Sequence, residues 1–589
     1  MVDAEAHDAD REVVVAARDL VGCEHRLALD HTPGLTPPVT QDSPEVTQRK
    51  QAAADHRARI RRFLAGVHSD GPPGTFAVVA ADDHRTRVAQ TLAACARGAD
   101  WIYNADLPTD HDHGRKAHSE LLVRADSGYL PVIVVNHRVS QPVSAAKKAV
   151  RPDGGTMMSS PMWGWMPMRD PNRSVRNQRR DLMRLAQLSA MLGDLGLGPQ
   201  SDSDRVGGVI GLDADCIVVH SLSELIGDYR QTFDRRKSIA RQEIHTEPRR
   251  INECRSCPWW TRCGPELTER RDVSLVVTGN QATVLTGMGI STIDELARYP
   301  GPAPADRAGR APFDDVIVCA AAWLDGTKLI RRVDEPSVTR ADVEVDVDME
   351  SYGEDGAYLW GTLLTDTSDP TREVRYRPFV TWDPLPTLDE SRSFAEFWQW
   401  LTAERDAARA DGKTFAAYCY SQSAENRWLL SSADRFIGRP GIPTRREVED
   451  FIGSDEWVDI FEAVGRNFIC PDGKGLKRIA PVAGFAWRDA EPSGEASMGW
   501  YREAVGMGDS DVDPTQRTRL LEYNEDDVRA TKVLREWITD SAKDALPHED
   551  QYLAFRRAEP GAPAPESEPE RAQSVEERPA TQQGDGPEK

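Results

Sequence analysis

The chain has 589 residues, 39% hydrophobic and 29% charged, with a formal net charge of -23. That length is too great for one core and calls for two or three soluble domains, and no run of about 18 apolar residues offers a membrane span. The surplus of acids excludes a surface coated for non-specific duplex binding, so any nucleic-acid face must be local. The first 30 residues carry acids where a secretory leader needs a basic start and an apolar middle, which makes the expected location cytoplasmic. The nine cysteines show no disulfide framework, and reduced thiols are available as metal ligands.

In chain order, Cys23 stands alone near the start. Helix formers fill 48–67, which carries His56, and apolar runs at 119–125 ("SELLVRA", with Glu120) and 130–136 ("LPVIVVN") read as paired strands. Residues 169–184 hold six arginines against Asp170 and Asp181, and 230–250 is basic on balance; together they offer a candidate phosphate track. The stretch 176–195 has helical period and carries Gln187. Cys254, Cys257 and Cys263 then close a C-x2-C-x5-C about 230 residues after Cys23. Four thiolates suit a cubane iron–sulfur cluster or a structural zinc, and such a set clips together the ends of one domain.

Residues 272–299 read as two short helices joined by a glycine-containing turn, a helix-hairpin-helix-like segment that could offer N–H groups to phosphate. A Pro/Gly-rich joint follows at 300–312. From 313 to 546 strand and helix patterns alternate: "VEVDVDME" (343–350) and "GAYLWGTLL" (356–364) read as adjacent strands, and 394–410 as an amphipathic helix. Residues 556–589 have the composition of a disordered tail.

Asp348 and Glu350 sit two apart in a strand and so share one face of its sheet. Adjacent acids repel unless a divalent cation neutralises them. Glu425 follows the apolar run "TFAAYCY", and Tyr523 lies four residues before Asp527 in a helix, one turn away on the same face. Asp346, in phase with Asp348, is an equal candidate for the first-strand acid, and Asp459 competes with Glu425. No histidine occurs between His245 and His548, so a histidine base is unavailable here.

These residues carry two resemblances. The cysteine bracket resembles the iron–sulfur nucleases of the RecB superfamily, including AddB-type subunits and CRISPR adaptation nucleases. This implies a PD-(D/E)XK, restriction-endonuclease-like domain over 1–271 holding a 4Fe-4S cluster, or alternatively zinc, on Cys23, Cys254, Cys257 and Cys263. In that family's pattern His56, Glu120 and Gln187 match site positions. Val134 and Asn136 stand where the second acid and the lysine belong, and Met191 replaces a tyrosine, so a degenerate site is expected even if the lysine role has moved to Lys147 or Lys148.

The second-half acids resemble the DEDD exonucleases of the RNase H-like superfamily in their tyrosine variant, and more closely the YprB-like domains, through "GLKRIAPVAGFAW" (475–487) and "WVDIF" (457–461). The resemblance implies an α/β RNase H-like domain over 313–546 that uses Mg2+ or Mn2+ on Asp348, Glu350, Glu425 or Asp459, and Asp527, with Tyr523 orienting water. It further implies 3′-to-5′ phosphodiester hydrolysis in DNA repair or recombination, with RNA as another substrate; a helicase partner is what the RecB resemblance implies. The alternative is a non-catalytic nucleic-acid-binding adaptor with a structural metal cluster.

Overall fold

Two sheets, joined through a small helical layer, organise the chain. The computed structural model describes residues 13–39, 44–68, 75–143, 157–277, 279–305, 312–490, 493–507 and 511–557. Lys147, Lys148 and the tail from 558 onward lie outside the described residues.

The first half contains α1 (Glu24–His31), α2 (Pro44–Val67), β1 (Phe76–Val78), α3 (His84–Ala96), β2 (Trp101–Asp106), β3 (His118–Ala125), β4 (Gly128–Val134), β5 (Met157–Ser160), β6 (Met168–Asp170), α4 (Arg179–Asp194), β7 (Val206–Ile210), β8 (Ile217–Ser221), α5 (Leu225–Ala240) and α6 (Trp260–Glu269). Its eight-stranded mixed sheet has the order β1-β2-β3-β4-β7-β8-β5-β6. The two expected strands pair antiparallel, with Leu121 opposite Val132. They read as continuous apolar runs because both faces are covered. Leu122 and Ile133 pack with Leu185, Leu188 and Met191 of α4, while Leu121, Val123 and Val132 meet Ile60 and Leu64 of α2.

The helical segment is present as α7 (Asn280–Gly287) and α8 (Ile293–Ala297), with Gly289 at φ +84° supplying the left-handed turn between them. Thr292 and Glu295 close a capping box on α8. The pair shares one apolar core with α9 (Phe313–Asp325) and with Leu553 near the chain's described end.

The second half adds β9 (Val343–Tyr352), β10 (Gly356–Asp366), β11 (Arg375–Val380), α10 (Glu390–Ala410), β12 (Phe415–Cys419), α11 (Ser423–Arg435), α12 (Arg445–Ile452), β13 (Trp457–Asp459), α13 (Ile460–Asn467), α14 (Leu476–Ile479), α15 (Gly494–Val505), α16 (Pro514–Asp540) and α17 (Glu549–Arg557). The five strands run β11-β10-β9-β12-β13, with β10 antiparallel to both its neighbours and β9, β12 and β13 parallel. α10 and α11 cover one face and α16 the other. The mixed α/β class expected from the alternating patterns is the class observed. Helix α17 runs through Arg556 and Arg557, two residues past the expected start of the disordered tail.

Candidate active site

β9 is a strand with two chemistries. Val343, Val345, Val347 and Met349 enter the apolar core, so Glu344, Asp346, Asp348 and Glu350 face α16 on the other side. At the inner end Arg535 is fully buried and forks onto Asp346, Nε to Oδ1 at 3.3 Å and Nη2 to Oδ2 at 2.8 Å, while its Nη1 donates to Glu344. Asp346, the alternative first-strand acid, is thus consumed by an internal ion pair. The outer two acids have no arginine. Asp348 Oδ2 accepts from Asn524 Nδ2 at 2.7 Å, and Glu350 Oε2 from Ser497 Oγ at 2.9 Å. Asp527, one helical turn after Tyr523, accepts from Trp487 Nε1 at 2.7 Å and from Lys477 Nζ at 3.3 Å. Carboxylate oxygens of Asp348, Glu350 and Asp527 all lie within 4.8 Å of one another.

Gly361 of β10 makes this approach feasible, since a Cβ there would stand 1.6 Å from Asn524 Oδ1. A glycine inside a strand is the mark of such close packing. It lets α16 settle onto the sheet with its polar side chains against the acids.

Burial, reinforced by the neighbouring acids Asp527, Glu350 and Glu425, holds the Asp348 carboxyl well above the usual range. Burial and Asp527 push Glu350 up to about 7, and burial raises Asp527 as well. Lys477 opposes all three shifts. Glu425, in the first turn of α11, is pushed by burial up to about 8, and its Oε2 is buried without a hydrogen-bond partner. Clustered, desolvated carboxylates with one orphaned oxygen form a donor set suited to a hard divalent cation, so these residues fit Mg2+ or Mn2+. Asp459 is placed differently: its oxygens accept from the N–H groups of Ser421, Gln422 and Phe461 at 3.0, 3.2 and 2.9 Å, capping α13.

The Tyr523 hydroxyl accepts from Lys477 Nζ, and that ammonium stands 4.4 Å from the phenol ring centroid. Trp500 meets the ring edge-on at 5.6 Å. Burial, then the acids Asp527, Glu350 and Asp348, hold the phenol far above its ordinary value, so it is neutral and able to donate. Lys477, Asn524, Ser497 and Trp487 were not singled out from sequence. Only "GLKRIAPVAGFAW", quoted whole, contained two of them.

The first-half residues singled out from the family pattern have other partners here. Arg184 Nη2 lies 2.9 Å from both oxygens of Glu120, and the Val134 N–H donates to Oε2 at 3.2 Å, so a guanidinium sits on that carboxylate. β4 supplies no acid: Val134 is core, Asn136 is exposed, and Met191 is buried. Gln187 Nε2 clasps the carbonyls of Val15 and Lys116 at 3.3 and 2.9 Å, a structural use. His56 is buried with Nε2 unpartnered and Nδ1 3.4 Å from Arg59 Nη2.

The phosphate track expected at 169–184 is largely dismantled. Arg173 pairs with Asp215, Arg179 with Asp228, Arg180 with Glu253 and Arg184 with Glu120. Among the described residues only Arg169 and Arg176 of the six are outside an ion pair. In 230–250, Arg230 and Arg235 are likewise held by Asp202 and Glu24.

Cys23, at the start of α1, interacts electrostatically with Cys254 and Cys257, and Cys263 with all three. Burial first, then those thiols, push Cys263 up to about 11. All four are free thiols, and Cys23, Cys254 and Cys257 line one small cavity with Arg26, Arg180 and Glu253. Among the described residues no three of these sulfurs lie within 4.8 Å of one another.

A sequence model for a family described as the RNase_H superfamily matches residues 434–539. That span contains Asp459, Lys477, Tyr523 and Asp527 and begins after Asp348, Glu350 and Glu425, which the fold itself brings to the same place. No curated protein and no solved structure matches the chain. The match supports an RNase H-like fold for the carboxy-terminal part, whose acids Asp348, Glu350 and Asp527 form a group that could hold a metal ion. No helix among the described residues is long and apolar enough to cross a membrane.

Proposed function

We propose that the second half is a metal-dependent exonuclease that hydrolyses phosphodiester bonds 3′ to 5′, in DNA repair or recombination. The observation that carries this reading is the meeting of Asp348 and Glu350 from β9 with Asp527 from α16 inside one 4.8 Å group. Mg2+ or Mn2+, held by these three with Glu425 completing the set, supplies the Lewis acidity that activates water and offsets phosphate charge. Asn524, Ser497 and Trp487 fix the orientation of the three carboxylates, the outer partners that such ligands need. Tyr523, kept neutral, donates to and orients the attacking water. Lys477, beside the phenol oxygen, offers its ammonium to the negative charge that develops on the phosphate.

The first half serves binding rather than cleavage in this reading, because Arg184 occupies the Glu120 carboxylate and β4 has no acid. The four cysteines hold a 4Fe-4S cluster that clips the ends of that half. Zinc is the alternative group for the same four thiolates. RNA is the competing substrate class, and a helicase the partner the RecB resemblance suggests.

End-labelled single and double strands of DNA and RNA, incubated with Mg2+ or Mn2+, test the assignment. Asp348→Ala should abolish degradation and Glu120→Ala should leave most of it. The reverse pattern would move catalysis to the first half.

A further inference from the structure

Where β9 leaves the acids it runs straight into a cleft between the two halves. We infer that this cleft is the subsite for the nucleotide next to the one being removed, so that the enzyme takes a single nucleic-acid strand; the inference rests on the exonuclease reading above. The cleft encloses about 560 Å³ and is lined by Arg59 and Arg62 of α2, by Tyr352 at the end of β9, and by Met498, Arg502 and Met507 in and just after α15. This volume admits one nucleotide of a single strand and does not admit a base pair.

Position supports the reading first. Two residues of strand advance about 6.6 Å, so Tyr352 lies roughly one nucleotide step beyond Glu350. The register with β10 shifts between Glu350 and Ser351, where Tyr358 of β10 is the extra residue. Chemistry supports it second. Tyr352 and the two methionines give a base an aromatic and a polarizable apolar surface, and the arginines give its phosphate partners.

The acids in the cleft are already engaged. Glu354 pairs with Arg138 at 3.0 Å and Arg427 at 2.8 Å, Asp55 approaches Arg502 at 3.8 Å, and Asp355 feels both Arg59 and Arg435. Helix α2 itself is basic, with Arg57, Arg59, Arg61 and Arg62 within six residues. In a chain of net charge -23 this is a local exception beside the catalytic acids. Helix α2 packs on α15, whose Ser497 holds Glu350, so an occupied cleft and the scissile bond are ordered by the same helix.

The test uses full-length protein with fluorescein-labelled oligothymidylates of 2 and 12 nucleotides, Ca2+ replacing Mn2+ for binding. The exposed pair Arg59→Glu/Arg62→Glu should weaken 12-mer binding at least 10-fold. It should also flatten the slope of log affinity against log salt by about 1.4, the share of two single-strand phosphates, and slow cleavage of the dinucleotide, whose second nucleotide also occupies the cleft, while Mn2+ binding by calorimetry is unchanged. A 12-mer carrying 5-iodouracil at the second position from the cleaved end should crosslink to Tyr352 in the wild-type protein. Unchanged 12-mer affinity and slope, or a crosslink elsewhere, in a protein that still degrades the 12-mer would overturn the cleft assignment alone. A wild-type protein that neither binds nor cleaves either strand would overturn the exonuclease reading with it.

Discussion

Tyr523 and Lys477 divide one task between them. The phenol is buried and neutral, so in the proposed reaction its contribution would be placement of a water, and Tyr523→Phe should slow cleavage by about 100-fold, the usual scale for a lost positioning or proton-handling group, with strand binding nearly unchanged. A wild-type rate in that variant would remove the tyrosine from the reaction. Lys477 acts on two equilibria in opposite directions. Its ammonium stands 3.3 Å from Asp527 Oδ2 and competes there with an incoming cation, so Lys477→Met should tighten Mn2+ binding by calorimetry while slowing cleavage. Tyr523 and Asp527 were visible in the sequence because four-residue spacing on a helix forces two side chains together. Lys477 was not, because a search for carboxylates has no place for a cation brought in by a separate short helix 46 residues upstream of the tyrosine.

At the level of elements, β9 against α16 is a ladder of charge whose two ends are treated differently. Arg535 neutralises the inner pair, and removing it would leave Glu344 and Asp346 buried with less than their due of positive charge. Arg535→Met should therefore lose about 3–5 kcal/mol of stability in urea, the range for breaking a buried pair by deleting one partner. The outer pair is destabilising until a cation arrives. Glu350 rises from 4.5 to about 7 in the folded protein, so the unfolded chain gives up its proton first, and stability from this group is lost as pH climbs from about 4.5 through 7. Metal binding needs the ionised form. Added Mg2+ should thus raise Tm more at pH 8 than at pH 6, and an equal gain at both would detach Glu350 from the metal. Alternation along β9 was legible because its two faces differ in polarity. The arginine-rich stretch at 169–184 misled because composition cannot show that Asp228 and Glu253, 49 and 73 residues away from Arg179 and Arg180, come back to meet them.

For the whole molecule, a cluster on the four cysteines, as proposed, would tie the start of α1 to the turn before α6 and to the first turn of α6. Loss of one ligand of a centre that closes so long a loop should loosen the entire first half. Cys257→Ser should lower iron content and thermal stability together, and full metal loading in that variant would break the bracket. The alternating apolar runs made the mixed α/β class readable in advance, since each strand's burial is written in its own period. The contact between the halves was not readable, because it depends on α2 and α15, whose partners are more than 400 residues apart in sequence.

That contact bears on how the chain can be divided. Helix α2 belongs to the first half by sequence, yet it packs on α15, and α15 supplies both the Ser497 hydroxyl on Glu350 and the Trp500 ring on Tyr523. A fragment beginning at the linker would keep every acid of the centre and leave bare the back of the helix that aligns two of its side chains. The second half is therefore not a portable cassette: transplanted alone, it would carry its ligands intact and their alignment unsupported.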